Sequence, residues 1–134
     1  MNKIDVRVYY EDTDAGGVVY YANYLKYIER GRTEFLRDLG FDQDELIAQD
    51  NVLFIVRSIE ANYLSPALFN DLIEVQTEII SISHASLFFS QKIMNIEKNA
   101  VLFNAKVKVV SVLNDNFKPC GLPPAILEKL NGRK

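Results

Sequence analysis

Residues 9 to 17 read YYEDTDAGG. Glu11, Asp12 and Asp14 place three carboxylates within four positions, and Gly16 and Gly17 follow directly after Ala15. A carboxylate can attack an acyl carbonyl, or activate a water to do so, when a preorganised donor waits for the developing oxyanion. The stretch after the glycines, VVYYANY, leads into a helix expected to begin near Tyr20 and Tyr21. The first N–H groups of a helix have no partner within it and carry positive partial charge, so they could polarise a substrate carbonyl. Gly16 and Gly17 permit backbone conformations and close approaches that a side chain would block. Loop, carboxylate and helix start are thus all present. A solvated acidic loop has the same composition, however, and the pattern alone leaves both readings open.

Two other chemistries for the cluster fail. Asp12, Asp14 and Gly16 partly match a calcium loop, but the twelfth position counted from Asp12 is Asn23, not glutamate, and a strand comes before the loop. Asp12-Thr13-Asp14 also matches the D-x-D of a haloacid-dehalogenase-type phosphotransferase. That fold needs alternating strand–helix–strand units and a longer chain, whereas this one ends in consecutive strands.

The elements that must position these residues can be read from periodicity. KIDVRVYY, residues 3 to 10, reads as a strand. From about Tyr20 to Leu39 the period turns helical, with Leu25, Ile28, Phe35, Leu36 and Leu39 on one face and Gly40 as the stop. DQDELIAQD predicts a short second helix with Asp42 as N-cap and Glu45 at the capping-box position. Four strands follow, over residues 52–63, 72–83, 86–96 and 100–113. In the last, Val101, Phe103, Ala105, Val107 and Val109 face one way and Asn104, Lys106 and Lys108 the other. Residues 97 to 99 and His84-Ala85 suit antiparallel hairpins, and the tail LPPAILEKLNGRK suits a turn of helix. The order predicts an α+β fold, one long helix on a curved antiparallel sheet, as a single domain over residues 1–134. The far face and the edges of such a sheet need cover, which points to at least a dimer.

The helix carries an anomaly. Arg32 projects into the middle of the apolar stripe, with Glu29 at the stripe's edge and within pairing reach. A charge there is costly unless paired. The expected arrangement is an ion pair of Arg32 with Glu29 at an interface; the functional alternative puts one of them at the mouth of a site. Gly31 costs about 1 kcal/mol against alanine in mid-helix, which a close contact would explain.

Composition excludes several function classes. Of 134 residues 49% are apolar and 25% charged, with a net charge of −3, and no basic stretch stands out to meet nucleic acid. The apolar runs are too short and too interrupted to span a membrane, and the N-terminus lacks the apolar core of a signal peptide, so the expected compartment is the cytoplasm. Cys120 is the only cysteine and His84 the only histidine, so no internal disulfide forms and a zinc site is not expected. Cys120 reads as structural; only the fold could bring it a base.

The stretch VYYEDTDAGGVVYYANY, residues 8 to 24, resembles the signature of YbgC-type acyl-CoA thioesterases, in the 4-hydroxybenzoyl-CoA thioesterase group of hotdog proteins. The resemblance continues in E-R-x-R-T-E at Glu29–Glu34, Y-x-x-P-A at Tyr63–Ala67, Asp71 and Val75, and K-P-x-x-L-P at Lys118–Pro123. It spans nearly the whole chain, and its first motif is the specific one. It implies a hotdog fold, a sheet wrapped round a central helix. It implies a homodimer with sites at the subunit interface, often paired into a tetramer. It also implies hydrolysis of an acyl-CoA thioester without a cofactor beyond the coenzyme A that the substrate carries.

On the same resemblance, Asp14 is the catalytic aspartate and the Tyr21 N–H polarises the thioester carbonyl. Many relatives have histidine where Tyr21 stands; a backbone role survives that change and an imidazole role does not. Gly16 and Gly17 border the substrate, and the CoA arm lies on the outer sheet near His84, Ala85 and Ser86. The bland alternatives are a turn residue for His84 and a strand start for Ser86. Two rivals follow: a non-catalytic module binding acyl-CoA or an acyl carrier, and a hotdog dehydratase. The dehydratase would need a histidine near the central helix, and His84 lies far along the chain between two strands. Phe54, Tyr63, Phe88 and Phe89 either line an acyl tunnel or are plain core. The residue pattern is compatible with Asp14 as nucleophile or as general base, and with acyl groups of any length.

Overall fold

A computed structural model describes residues 1–131. The alternation seen in residues 100 to 113 becomes its longest strand, and four others assemble around it. In chain order the elements are β1 (Asn2–Arg7), α1 (Asn23–Asp38), α2 (Gln43–Asp50), β2 (Val52–Tyr63), β3 (Leu72–Ile82), β4 (Ser86–Asn95), β5 (Ala100–Leu113) and α3 (Pro124–Asn131). The strands form one antiparallel sheet in the order β1-β3-β4-β5-β2, so β1 and β2 are its edges. This is the expected α+β hotdog arrangement. Among the described residues no helix is long and apolar enough to cross a membrane.

The sheet curves because its ladders slip. Register shifts fall between Val56 and Ser58 in β2, between Ile79 and Ser81 in β3, and opposite Ile93–Met94 in β5. Each inserted residue bends and twists its strand. The third shift also corrects the alternation assigned to β5. Leu102, the inserted residue, is buried with Phe103, while Val101 is only half-buried.

α1 packs on the sheet with Tyr24, Tyr27, Ile28, Gly31, Arg32, Phe35 and Leu36 buried. Full burial of residues such as Ile28 and Phe35 stabilises by about 1.5–3 kcal/mol each. Leu25, assigned to that face from its spacing, is instead 38% exposed. Tyr24 and Tyr27 take the inward positions because their ring bodies pack against the core, Tyr24 stacking on Phe103 at 5.3 Å. Gly31 is explained by proximity to the sheet. A Cβ there would stand 2.6 Å from Thr77 Oγ1 and 2.9 Å from Val75 Cγ1. The ion pair expected between Arg32 and Glu29 does not form; Arg32 Nη1 donates to Gln91 Oε1 at 3.0 Å, and Glu29 accepts from Thr33 Oγ1 at 3.0 Å.

Three boundaries also differ from the sequence reading. β1 stops at Arg7 rather than Tyr10, because Tyr10–Asp12 form a single 3-10 turn closed by the Asp12 carboxylate on the Tyr9 N–H at 2.8 Å. α1 begins at Asn23, three residues later than expected. The tail forms an eight-residue helix rather than one turn. Asp42 is the N-cap of α2, as read, but its side chain makes no cap hydrogen bond and faces Arg37 Nη1 at 3.3 Å instead.

Candidate active site

The acidic stretch folds into a small hairpin between β1 and α1. Asp14 N–H donates to the Val18 carbonyl at 2.9 Å, Gly17 N–H to the Asp14 carbonyl at 3.0 Å and Tyr20 N–H to the Asp12 carbonyl at 2.9 Å. Thr13 and Val19 pair as an antiparallel bridge. The turn demands its glycines. Gly17 sits at φ +77°, the left-handed region that a Cβ disfavours. Gly16 N–H donates to Asp14 Oδ1 at 2.8 Å, and a Cβ on Gly16 would come within 3.3 Å of that oxygen. One carboxylate oxygen of Asp14 is thereby fixed. Oδ2 has no partner among the described residues, and the residue is exposed. Asp12 has a different use: its carboxylate holds the 3-10 turn, and its carbonyl also accepts Asn23 Nδ2 at 2.9 Å.

A second segment, residues 64 to 71, clamps this hairpin from the side. Val19 N–H reaches the Ala67 carbonyl at 2.8 Å, Val18 bridges to Leu68, and Phe69 N–H reaches the Gly17 carbonyl at 3.4 Å. The Ala67 N–H in turn donates to Tyr24 Oη at 3.0 Å, and Leu68 N–H to Asp71 Oδ2 at 2.9 Å. Tyr24, Ala67 and Asp71 therefore position the turn that carries Asp14. The motifs Y-x-x-P-A and Asp71 were visible in the sequence; their role as a clamp was not.

Tyr21 lies between hairpin and helix and is 62% exposed. Its carbonyl accepts Tyr63 Oη at 3.0 Å, and its ring meets Tyr20 at 4.8 Å and Tyr63 at 6.3 Å. Burial, followed by the neighbouring Tyr21, raises the Tyr63 phenol above its ordinary pKa. The Tyr21 and Ala22 N–H groups have no acceptor among the described residues, and Ala22 at the N-cap has no side chain with which to close the helix end. The start of α1 therefore offers open donors with the helix dipole behind them. The hairpin register sets Asp14 opposite Val18 and Tyr20 opposite Asp12. Tyr21 follows the hairpin directly, and no hydrogen bond joins it to Asp14 among the described residues.

The third group of candidates lies elsewhere. His84 and Ala85 lie in the β3–β4 connection and Ser86 opens β4, at the opposite end of β3 from Asp71. The 11 residues of β3 hold the two ends about 35 Å apart. This hairpin is latched to the segment before α3. Leu122 N–H donates to the His84 carbonyl at 2.9 Å and Ser111 N–H to the Ala85 carbonyl at 2.8 Å. Gly121 lies against the imidazole, where a Cβ would stand 2.9 Å from His84 Cε1. Ser86 is 7% exposed, so of the three only His84 presents an exposed side chain. Cys120, beside this latch, has its Sγ 3.4 Å from Ser111 Oγ.

A hotdog sheet that carries an Asp-Ala-Gly-Gly turn beside an open helix start has the layout expected of a thioester hydrolase. The model of the thioesterase-like superfamily matches residues 8–130, and the chain belongs to that family. It is 50% identical over 122 residues to the acyl-CoA thioester hydrolase YbgC of Escherichia coli, covering 91% of this chain and 90% of the relative. It is 42% identical over 121 residues to the acyl-CoA thioesterase YbgC of Haemophilus influenzae, covering 90% and 88%. The crystal structure of a probable thioesterase from Bartonella henselae superposes with a TM-score of 0.86 at 39% identity, covering 91% of this chain and 98% of that one.

Proposed function

We propose that the protein hydrolyses acyl-CoA thioesters to the free acid and coenzyme A, with Asp14 as the catalytic carboxylate. The observation that carries this reading is the asymmetric tethering of Asp14: Oδ1 is held by the Gly16 N–H at 2.8 Å while Oδ2 is unoccupied. A carboxylate fixed in this way loses little freedom on reaction, which favours attack. As a nucleophile, Oδ2 bonds to the thioester carbon, the tetrahedral oxyanion collapses, and the CoA thiolate leaves an acyl-aspartate anhydride that water then cleaves. As a general base, the same oxygen takes a proton from the water that attacks. In both routes the Tyr21 N–H and the start of α1 hold the oxyanion. No cofactor enters beyond the coenzyme A of the substrate.

The working unit in this reading is a homodimer, itself paired into a tetramer. β2 is a 12-residue edge strand with Ile55, Val56, Ile59 and Tyr63 exposed, a surface that a second copy would cover. In such an assembly the His84 hairpin that receives the CoA arm belongs to the partner of the subunit supplying Asp14, which fits the length of β3 between them. Sedimentation at micromolar concentration tests this; a monomer with full turnover overturns it. The direct test of the chemistry is Asp14→Asn assayed for thiol release across short, long and aromatic acyl-CoAs. Wild-type turnover in that variant sinks the assignment. Acyl-CoA binding without thiol release in the native protein would support the non-catalytic module instead. Turnover in heavy-oxygen water tests for the anhydride, since label enters Asp14 only when water cleaves that intermediate at the aspartyl carbonyl.

A further inference from the structure

Arg32 is 8% exposed on the packed face of α1, yet among the described residues no carboxylate is in ion-pair contact with it. Gln91 orients the guanidinium through Oε1 and is otherwise committed. Its Nε2 donates to the Ile28 carbonyl at 2.8 Å and to Thr77 Oγ1 at 2.9 Å. An amide fixes a charge in place but does not neutralise it. Glu29, one turn back and exposed, is engaged by Thr33 Oγ1, which itself accepts from Gln43 Nε2 at 3.4 Å. Loss of water presses the Arg32 pKa below its usual value, and the charge of Glu29 partly opposes that fall.

Beside the guanidinium lies a cavity of about 100 Å³, walled by Leu36, Phe54, Leu87, Phe89 and Val109, with Glu29 and Thr33 among its polar lining. A cavity of roughly 150 Å³ holds benzene, so this one suits a smaller apolar body. A buried cation with no carboxylate in ion-pair contact among the described residues, next to a small apolar chamber, is complementary to a molecule with one anionic end and a short hydrocarbon. A guanidinium with one edge taken by Gln91 still has donors for a forked carboxylate.

We propose that this cavity is a binding site for a short-chain carboxylate, with the anion on Arg32 and the alkyl body against Phe54, Leu87 and Phe89. Such an acid is also what thioester hydrolysis releases. That link rests on the activity proposed above; carboxylate binding does not. The same chemistry could arrive as a free acid or as the distal carboxylate of a dicarboxylic acyl group. Glu29 weakens the site from its rim, so removing its charge tightens it.

Isothermal titration of the full chain with sodium butyrate, against butyramide as the neutral isostere, tests this directly. Butyrate binds saturably and about tenfold or more tighter than butyramide. Arg32→Gln abolishes that preference, Arg32→Lys weakens but keeps it, and Glu29→Gln strengthens it several-fold. Should Arg32→Gln fail to fold, the lysine and Glu29 variants carry the test. Equal affinity for butyrate and butyramide, no saturable binding, or a Glu29→Gln variant that binds butyrate no more tightly would overturn the site. Turnover of glutaryl-CoA against butyryl-CoA then names the occupant. A glutaryl preference that Glu29→Gln enlarges identifies the distal carboxylate; equal kcat/KM alongside butyrate binding identifies the free acid. An inactive enzyme that still binds butyrate refutes the activity and leaves the site standing.

Discussion

At its start α1 meets the chain through backbone hydrogen bonds and exposed tyrosines; about two turns further on it meets the sheet through a glycine, a glutamine and an arginine sealed from water. Both regions are tightly constrained, but by different means. The hairpin that bears Asp14 is held by N–H and carbonyl groups from residues 12 to 20 and from Ala67–Asp71, so its geometry depends little on side-chain volume. The Gly31–Gln91 contact is held by packing, where any added atom displaces something. Chemistry at the first region should therefore be separable from stability, and stability at the second separable from chemistry.

The largest expected effect tests that separation at the hairpin. Asp14→Asn should keep the melting temperature and lower kcat by about 10²- to 10⁴-fold, the usual contribution of a positioned acid–base group. A large drop in melting temperature would show that the two regions are not independent. Next comes Gly31→Val, whose side chain would enter the space held by Thr77, Val75 and Gln91. Thermal denaturation should show a loss of about 1–3 kcal/mol, the range for overpacking, while the folded fraction retains its specific activity. A smaller effect is expected for Gly17→Ala. The φ of +77° makes a Cβ cost about 1–2 kcal/mol there, and the shift of the turn should lower kcat with little change in KM. An unchanged kcat would mean that the turn does not need its shape. Smallest is Tyr21→Phe, which removes only a hydroxyl from a residue whose proposed role is its backbone. Stability should move by no more than about 0.5 kcal/mol, and a loss of turnover beyond about twofold would assign the phenol a part of its own.

How much of this was legible depended on the range of the interactions. β2 to β5 fell within a residue of their expected bounds, because alternation and turn residues are local signals. The start of α1 was misplaced because YYANY has acceptable helical periodicity. What delays the helix is the Asp12 carbonyl, which takes both Tyr20 N–H and Asn23 Nδ2. Arg32 could be seen to need a partner, but Gln91 lies 59 residues away and no spacing rule could name it. The bulge at Leu102 was equally hidden, since an unbroken run of apolar residues looks the same in either phase. Of the candidate site, the Asp-Ala-Gly-Gly turn could be read from residue types. Its clamp could not, because Ala67 acts through main-chain atoms that every residue possesses.

That clamp bears on the order in which the molecule comes together. Val8, Gly17 and Val19 find their partners at Ala67–Asp71, and β1 pairs only with β3. During synthesis β1 and the hairpin, the first 20 residues of the chain, therefore wait unbraced until roughly half the protein has left the ribosome. Closing such distant contacts is slow compared with forming a helix or a hairpin of neighbours. The residue proposed to do the chemistry is thus not set in place until the middle of the chain is available, and a nascent chain has no braced Asp14 turn before residues 67–71 and β3 have been made.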